Sequence, residues 1–379
     1  MRNRTRFIFC ISWILSGFSI FAQYKVTFII NKLPLYNQSS DKIYLVGSFN
    51  NWNPKDEKMV LGTIQNKPGI TIVLGKGMFE YKFTEGSWEQ VESADGGFPN
   101  NNRRVVVNSD TTIEVEIEHW ADHFPKKPKQ STASPNVHVI DTSFYMPQLG
   151  RHRRVWIYLP EGYTSSGKKY PVMYMHDGQN LFDEATSAFG EWGVDEALDS
   201  LGREGAEMIV VGIDNGAATR INEYSPYDMP KYGKGEGEQY VEFLVKTLKP
   251  YIDKHYRTKK DEDNTFIAGS SMGGLISFYA ILKYPKVFGV AGVFSPAFWI
   301  TPQLKNIDPK QAKKVKGKIY FYGGQQESES MVPDMLAVFD QMRRHSKAKM
   351  ETVIRAEGKH NEPTWRAEFP LFVRWLMKS

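Results

Sequence analysis

The stretch "FIAGSSMGGL", residues 266–275, holds two adjacent serines between an apolar run and two glycines. Ser271 has glycine two positions before it and two positions after it, which gives the pattern G-x-S-x-G, whereas Ser270 has alanine and methionine at those offsets. The spacing alone carries little information, because a structural turn would also need the glycines. It would not need a serine at its apex, however. Since a buried strand, "NTFIAG", turns directly into a helix, "GGLISFYAILKYP", the pattern predicts a nucleophile at Ser271.

The segments around this turn offer backbone N–H groups that can donate hydrogen bonds to a negatively charged oxygen of the substrate. The helix directs its first N–H groups, including that of Met272, at the space above the serine. A second donor is expected in the loop after the third strand, "MHDGQNLFD", where Gln179 follows Gly178. Asp177 is interpreted as a turn residue rather than a second catalytic acid. His176 has no partner cluster that would support a metal, so we expect neither a metal nor a cofactor.

A serine hydroxyl needs a base that is held by a third group. In sheets of this kind, the chain order is serine, acid, histidine. His360 lies after the last strand signal, "METVIRAE", and before the last helix, and is predicted to be the base. The acid should leave the end of the preceding strand, "KIYFYGG", which offers Glu327 first, Glu329 second and Asp334 on the next helix. Glu327 is preferred, although the pattern does not separate it decisively from Glu329.

The second half of the chain alternates strand and helix signals. The apolar strand signals are "RRVWIYLP", "YPVMYMHD", "MIVVGIDN", "NTFIAGS", "GVAGVFSPA", "KIYFYGG" and "METVIRAE". Amphipathic helices separate several of them, for example "GEQYVEFLVKTLKPYIDKHY" and "VPDMLAVFDQMRRHS". This alternation predicts an α/β domain over residues 139–379, with a mostly parallel sheet that helices cover on both faces.

The first part of the chain has a different rhythm. Short β-rich runs alternate with turn clusters about every ten residues, which predicts a small all-β, immunoglobulin-like sandwich over residues 23–123. The segment "HFPKKPKQSTASPNVHV", residues 122–138, is rich in Pro, Lys, Ser and Thr. We therefore predict an exposed linker over residues 124–138.

Residues 1–22 are typical of a secretory signal peptide. Three arginines precede an apolar run over residues 7–20, and Ala22 offers a small residue for cleavage. A membrane anchor is the alternative, but the run is shorter than the roughly 20 residues that a span needs. The only cysteine, Cys10, lies inside this segment, so the processed chain would contain no thiol. We expect a secreted or periplasmic protein without membrane association after cleavage.

The charge balance excludes one class of partner. Removing the three leader arginines would lower the formal net charge from +5 to +2, and the sequence shows no basic stripe. A nearly neutral chain of this kind is not expected to bind nucleic acid.

Several stretches in order along the α/β domain carry a resemblance to a known family. They are "YPVMYMHDGQNLFD", "EWGVDEAL", "NGAATRINEYSP", "FIAGSSMGGLISFYAILKYPKVFG", "VFSPAFW" and "EGKHNEPTW". Residues 139–379 resemble the esterase family of the α/β-hydrolase superfamily that includes enterochelin esterases, feruloyl and acetyl xylan esterases, S-formylglutathione hydrolases and mycolyltransferases.

The resemblance implies roles for individual residues. Ser271 would be the nucleophile, His360 the base, and a glutamate in the G-x-x-E of "GGQQES" the acid. Gln179 and Met272 would supply the oxyanion amides. Three further residues match positions near the family's cleft and are candidates for the substrate wall: Arg220, Glu223 and Trp299.

The first domain resembles starch-binding carbohydrate modules, through "YLVGSFNNWNP", "FEYKFTEGSWE" and "NNNRRVVV". By this resemblance, Trp52 and Trp88 would form a flat platform on which sugar rings stack. Lys82 and Asn102 would be polar partners for the sugar hydroxyls. The alternative is that Trp52 packs inside the sandwich.

These expectations combine into a secreted serine esterase that removes acetyl or feruloyl groups from a polysaccharide, with the first domain tethering it to the glycan. Two alternatives remain open at this level. One is the hydrolysis of a siderophore trilactone, which predicts a basic cleft for an anionic catecholate. The other is a glycan-binding protein whose hydrolase domain is inactive.

Overall fold

The computed structural model describes residues 23–38, 40–97, 100–125 and 129–378. The chain divides into two compact units, residues 1–127 and 128–379, and this boundary falls inside the predicted linker. The predicted signal peptide lies outside the described residues and stays a prediction. Within the described ranges, no helix combines the length and the apolar character needed to cross a membrane.

The first unit is built from β-strands. They are β1 (Gln23–Lys32), β2 (Tyr44–Gly47), β3 (Gly62–Ile64), β4 (Lys67–Gly75), β5 (Gly77–Thr84), β6 (Glu92–Ser93), β7 (Arg103–Val107), β8 (Thr111–Glu116) and β9 (His119–Trp120). They form sheets in the orders β3-β4-β1-β8, β2-β5-β7 and β6-β9. Side chains from the two larger sheets share one apolar core that contains Phe28, Phe83 and the fully buried Trp120. Each β-rich run recognised in the sequence therefore contributes a strand.

The second unit alternates strands and helices. Its strands are β10 (Val137–Met146), β11 (Arg151–Tyr158), β12 (Val172–His176), β13 (Ile209–Ile213), β14 (Thr265–Ser270), β15 (Val290–Phe294), β16 (Lys318–Gly324) and β17 (Lys349–Arg355). Its helices are α1 (Val194–Gly202), α2 (Arg220–Glu223), α3 (Gly237–Phe243), α4 (Lys249–His255), α5 (Met272–Lys283), α6 (Pro309–Ala312), α7 (Met331–His345) and α8 (Glu362–Met377).

These strands form one mixed, eight-stranded sheet in the order β10-β11-β13-β12-β14-β15-β16-β17. β11 pairs antiparallel with β10 and β13, and the pairs from β13 to β17 are parallel. Because successive side chains of a strand point to opposite faces, Tyr174 packs on one face and Met175 on the other. Helices α3, α4, α5 and α7 contribute to the first core, and α1 and α8 to the second. The mostly parallel sheet that the sequence predicts is confirmed.

A single helix was expected over "GEQYVEFLVKTLKPYIDKHY", and the structure interrupts it. A π-helical turn, Leu244–Leu248, separates α3 from α4. Pro250 lies at the start of α4 and has no N–H to donate to the preceding turn. The wider turn before it lets the helix continue without that hydrogen bond.

The predicted linker differs from the expectation in two ways. Strand β10 already begins at Val137, and the described part before it is held against the second unit rather than exposed as a whole. The hydroxyl of Ser131 donates to Asp183 (2.9 Å) and that of Thr132 to Glu191 (2.9 Å). Carboxylates in a distant stretch of the sequence thus provide acceptors for this polar segment, and its composition alone cannot reveal them.

Asp195, on α1, anchors the same segment from a fully buried position. Its Oδ2 accepts the Ser134 N–H at 2.7 Å, while its Oδ1 and Oε2 of Glu196 are buried without a hydrogen-bond partner. A side-chain hydrogen bond between Asp195 and Glu196 needs a proton on one of the two groups, because two ionised carboxylates have no hydrogen to share. Burial, with a smaller contribution from Glu196, raises the pKa of Asp195 to about 8 against the opposing effect of the Ser134 amide.

We expect the free energy of unfolding of Asp195→Asn to increase relative to that of the wild type as the pH rises from about 4 to about 8. In that window, the folded wild type keeps a proton that the unfolded chain releases, so wild-type stability falls with rising pH. The asparagine variant carries no such proton, and the difference should grow by at most about 1.4 kcal/mol per pH unit. Urea unfolding of both proteins at several pH values measures it. A difference that stays constant with pH would show that Asp195 is ionised in the folded protein.

Candidate active site

Ser271 lies between β14 and α5, at the turn that the spacing predicts. Its φ of 59° is in the left-handed region, which is rare for a residue with a side chain and is found at strained functional turns. Its N–H donates to the carbonyl of Phe294 at 2.9 Å, and its own carbonyl accepts the N–H of Ala297 at 3.1 Å. Ser271 is half-buried, whereas Ser270 is buried as the last residue of the strand. The geometry therefore distinguishes the two serines as the sequence did.

The two glycines of the motif are required by close packing. A Cβ on Gly269 would lie 3.0 Å from a ring carbon of His176 and 3.0 Å from the backbone of Gly273. A Cβ on Gly273 would lie 3.3 Å from the Cβ of His176. The strand and the helix can approach this closely only without side chains, which confirms the reason for the glycines that the sequence suggested.

His360 lies in the loop between β17 and α8, and its imidazole contacts one particular carboxylate. Its Nδ1 is 2.7 Å from Oε2 of Glu327, whose side chain is only 1% exposed. The other carboxylate oxygen, Oε1, accepts the N–H of Gly324 at 2.6 Å and the hydroxyl of Ser295 at 2.7 Å. A carboxylate at Nδ1 favours the tautomer with hydrogen on Nδ1, which leaves Nε2 free to accept a proton.

The other acids that the sequence offered are placed elsewhere. Glu329 is exposed on the surface of the same loop. Asp334 pairs with Lys305 at 2.7 Å. The sequence could not separate Glu327 from Glu329, and the structure brings only Glu327 into hydrogen-bond contact with His360.

Three residues that the sequence analysis did not identify support this pair: Ser295, Trp365 and Asn361. The indole of Trp365 donates to the hydroxyl of Ser295 at 2.9 Å, and this hydroxyl in turn donates to Glu327. The ring of Trp365 also meets the ring of His360 edge to face, with 5.1 Å between centroids. Asn361 begins α8 by accepting the N–H of Thr364 at 3.2 Å, and this cap helps to hold the loop.

Ser271 and His360 belong to one continuous group of contacts at the carboxyl edge of the sheet. The amide of Ser271 binds the carbonyl at the end of β15, and Ser295, the next residue, binds Glu327. Glu327 binds His360. The nucleophile, acid and base candidates therefore come from the loops after β14, β16 and β17 on the same edge of the sheet, where active sites of open α/β sheets lie.

The two predicted oxyanion donors lie at the ends of adjacent strands. The N–H of Met272 is the first of α5 and has no acceptor within the helix. Gln179 follows β12 in a short turn that Asp177 opens with a φ of 59°. A Cβ on Gly178 would lie 2.9 Å from the backbone of β13. The neighbouring strand therefore leaves no room for a side chain at this glycine.

The three candidates for the substrate wall have different environments. Trp299 is 50% exposed in the loop after β15, two residues beyond Ala297, and can contact a ligand. Arg220 binds both carboxylate oxygens of Asp177, at 2.6 and 2.8 Å, so its charge is balanced. Glu223 is fully buried, and the expectation that it lines the cleft is wrong in this structure.

Glu223 serves an internal ion-pair network instead. Its Oε1 accepts hydrogen bonds from Arg151 at 2.8 Å and from Thr219 at 2.7 Å, and it also pairs with Arg153. A buried carboxylate needs such donors because burial without them costs several kcal/mol. The short stretch "RINE" does not show that three donors surround this glutamate.

Burial and charge set the electrostatics beneath the site. Burial raises the pKa of Glu362 to about 7, and the nearby Asp177 carboxylate adds to this effect. Burial alone would raise the pKa of Asp177, but the charge and the hydrogen bonds of Arg220 hold it below its ordinary value. Burial lowers the pKa of His176 to about 3, and its Nδ1 contacts the Tyr240 hydroxyl at 2.9 Å. Among the described residues, no group of acids, histidines or cysteines has the arrangement of a metal site.

The first unit presents the two tryptophans of the expected sugar platform. Trp88 is 43% exposed and Trp52 is half-buried, with 6.3 Å between ring centroids and 39° between the planes. Asn102 is exposed and donates to Glu80 at 3.1 Å. Lys82 is buried against the carbonyl of Asn100, so it is not free to contact a sugar in this structure. The sequence pattern did not show this burial.

Comparison with known proteins places this chain in an esterase family. The family model described as "Putative esterase" matches residues 146–376. The chain is 27% identical over 237 residues to an endo-1,4-beta-xylanase/feruloyl esterase of Xylanibacter ruminicola, a match that covers 60% of this chain and 30% of that protein. It is 27% identical over 158 residues to the iron(III) salmochelin esterase of Escherichia coli, covering 41% of this chain and 34% of that protein. The matches thus span about a third of each relative's length.

The fold is also similar to that of a solved esterase. The enterobactin esterase of Shigella flexneri superposes with a TM-score of 0.54 and 16% identity, over 94% of this chain and 93% of that chain. At this level of identity, the similarity concerns the fold alone.

Proposed function

The chain belongs to the esterase family of carboxylic ester hydrolases, and we propose that it removes acyl groups, acetyl or feruloyl, from a polysaccharide. One observation carries the catalytic part of this proposal. A buried glutamate, Glu327, binds Nδ1 of His360 at 2.7 Å, on the edge of the sheet where Ser271 lies at a strained turn. A carboxylate on one nitrogen of a histidine prepares the other nitrogen to accept the proton of a serine hydroxyl, and the proposal assigns that hydroxyl to Ser271.

The proposed reaction has two steps. The Ser271 oxygen attacks the acyl carbon while Nε2 of His360 takes its proton, and the N–H groups of Met272 and Gln179 stabilise the negative oxygen of the tetrahedral intermediate. The intermediate expels the sugar oxygen, which takes the proton from His360. Water then attacks the acyl carbon while His360 takes its proton, and the acid is released as the Ser271 oxygen takes that proton back from His360. Glu327 keeps the imidazole in the required tautomer and stabilises its charged form.

The substrate class rests on charge, on exposed aromatic surface and on similarity. Arg220 is neutralised by Asp177, so it does not offer a free cation to an anionic ligand. Trp299 offers an apolar surface beside the site. The similarity to a xylanase/feruloyl esterase supports a glycan-linked ester. For the first unit, we propose an immunoglobulin-like, starch-binding type of module in which Trp52 and Trp88 contact sugar rings, and a secreted or periplasmic location that follows from the predicted leader.

A siderophore ester is the second candidate substrate, and the similarity to a salmochelin esterase favours it. The two candidates differ in what the enzyme must recognise, because a catecholate siderophore is anionic and a glycan ester is largely neutral. We expect the glycan ester to be the better substrate, since the cleft arginine is already paired.

The test compares insoluble acetylated or feruloylated xylan, a catecholate trilactone and soluble p-nitrophenyl acetate as substrates. Wild type should release acid from the xylan ester with a higher kcat/KM than from the trilactone. Trp52→Ala and Trp88→Ala should slow release from insoluble xylan about two- to tenfold, by loss of ring stacking, and leave the soluble ester unaffected. Val106→Ala, which truncates an exposed apolar side chain of the same unit, is the matched control.

Two outcomes would contradict this proposal. A preference for the trilactone would assign the enzyme to siderophores. Equal action of wild type and both tryptophan variants on insoluble xylan, together with equal retention of the three proteins on insoluble starch, would remove the sugar platform while leaving the esterase activity in place.

A further inference from the structure

We infer that Asn215 is a positioning residue that holds the oxyanion-binding turn around Gln179, together with the Asp177–Arg220 ion pair. The inference rests on the proposed function of Gln179 and adds residues that neither the motif nor the resemblance assigns to this task. Asn215 lies two residues after the end of β13, and Gln179 lies three residues after the end of β12. The loops of two paired strands are thereby joined.

Asn215 uses three of its hydrogen-bonding groups in this junction. Its backbone N–H donates to the side-chain oxygen Oε1 of Gln179 at 3.1 Å. Its side-chain Nδ2 donates to Oδ1 of Asp177 at 2.7 Å. Its side-chain oxygen accepts the N–H of Ala217 at 2.8 Å, and Ala217 has a φ of 49°. The side chain therefore stabilises its own strained loop and the turn opposite at the same time.

Asp177 is held at the point where the turn begins. Both oxygens of its carboxylate bind Arg220, and the Arg220 guanidinium lies over the ring of Tyr224 at 5.2 Å from the centroid. The lowered pKa of Asp177 keeps this carboxylate ionised, so it remains an acceptor for Asn215 and Arg220 at neutral pH. Asp177 adopts the left-handed conformation that redirects the chain into the turn.

The remaining contacts of the turn determine the direction in which the backbone N–H of Gln179 points. The carbonyl of Gly178, on the same peptide plane as the Gln179 N–H, accepts the N–H of Leu181 at 3.2 Å. The carbonyl of Gln179 accepts the hydroxyl of Thr186 at 2.8 Å. With the side-chain oxygen bound to Asn215, both oxygens of Gln179 are engaged within the protein. The orientation of its N–H thus depends on contacts from both sides of the turn.

This arrangement predicts a loss of transition-state stabilisation when Asn215 loses its side chain. An oxyanion donor contributes about 100- to 1,000-fold to kcat, and a displacement of about 1 Å can cost about 100-fold. Since Asn215→Ala leaves the donor present but loosens its support, we expect kcat to fall about 10- to 100-fold. KM should change little, because the ester contacts this amide most strongly after the oxygen becomes negative.

The experiment measures kcat and KM for p-nitrophenyl acetate and the affinity for a trifluoromethyl ketone, which forms a tetrahedral adduct with the serine. Asn215→Ala should lower the affinity for the ketone by the same factor by which it lowers kcat/KM. Arg220→Lys, which keeps the charge but loses the two-point contact, should show the same pattern with a smaller factor. Asn222→Ala is the control, because Asn222 also donates to two carbonyls, those of Tyr232 and Lys234, but does not contact the turn.

The outcomes separate this inference from the proposed function. Turnover by wild type that Ser271→Ala removes supports the serine esterase independently of Asn215. On that background, a kcat of Asn215→Ala within twofold of wild type would overturn the positioning role. So would a reduced kcat with unchanged affinity for the ketone, or an equal loss in Asn222→Ala, because a general loss of structure would explain either result.

Discussion

Replacing Ser271 with alanine is expected to lower kcat for ester hydrolysis by roughly four to six orders of magnitude. The reason is that the substitution removes the only atom that forms the acyl-enzyme, while the amides of Met272 and Gln179 remain to polarise the ester. The fold should tolerate the change, since the hydroxyl is at the apex of the turn and the tight contacts beneath it involve the glycines. Hydrolysis of p-nitrophenyl acetate, with thermal unfolding measured in parallel, tests this expectation.

The adjacent serine provides a matched control. Ser270 differs from Ser271 by one position, is buried at the end of β14, and does not occupy the turn. Ser270→Ala should therefore retain most of the activity. If Ser271→Ala kept turnover at the wild-type level, the serine mechanism would be wrong. If both variants lost activity together with their thermal stability, the loss would report on folding of the turn rather than on chemistry.

The architecture of the second unit could be predicted from the sequence because parallel strands are buried on both faces. Such strands are continuous apolar runs, and five of the seven runs recognised there form the buried strands β12 to β16. The other two form the antiparallel strand β11 and the more exposed edge strand β17. Strand β10 was missed because its pattern is different. Its side chains are largely exposed, it lies at the edge of the sheet, and its first residues follow a polar segment that the composition assigned to the linker.

Some residues of the candidate site could also be predicted from the sequence, and others could not. Ser271 could be found because its turn is local: a strand, two glycines and a helix appear together in ten residues. His360 could be found from chain order. The preference for Glu327 over Glu329 could not be made decisive from the sequence, because it depends on how a loop folds back so that one carboxylate contacts both Gly324 and the imidazole.

Contacts between distant segments were beyond the sequence altogether. Ser295 and Trp365 are 70 residues apart, yet their hydrogen bond helps to hold the hydroxyl that donates to Glu327. Asn215 and Asp177 are 38 residues apart, and nothing in either local stretch indicates that they meet. Arg220 was expected at the substrate wall because the sequence does not show that it pairs with the carboxylate of Asp177. A single sequence shows which side chains exist, while pairing across strands decides which of them remain free to contact a ligand.

The second large effect is expected at Glu327. Glu327→Gln should lower kcat about 10,000-fold, because the amide can present an N–H to Nδ1 of His360 and so favour the tautomer with hydrogen on Nε2. That tautomer cannot accept the serine proton. The substitution also removes the negative charge that stabilises the protonated imidazole during the reaction. Because the amide has nearly the same size as the carboxylate, the fold should tolerate it.

Glu329→Gln makes the same chemical change two residues away, on an exposed side chain, and is the matched control. Its kcat should stay within about twofold of wild type, as is usual for surface changes away from the reacting groups. Kinetics of both variants on p-nitrophenyl acetate, with circular dichroism to verify folding, distinguish the two glutamates. A large loss in Glu329→Gln with little loss in Glu327→Gln would mean that the working enzyme rearranges this loop. The hydrogen bond between Glu327 and His360 would then be a feature of the resting state rather than of catalysis.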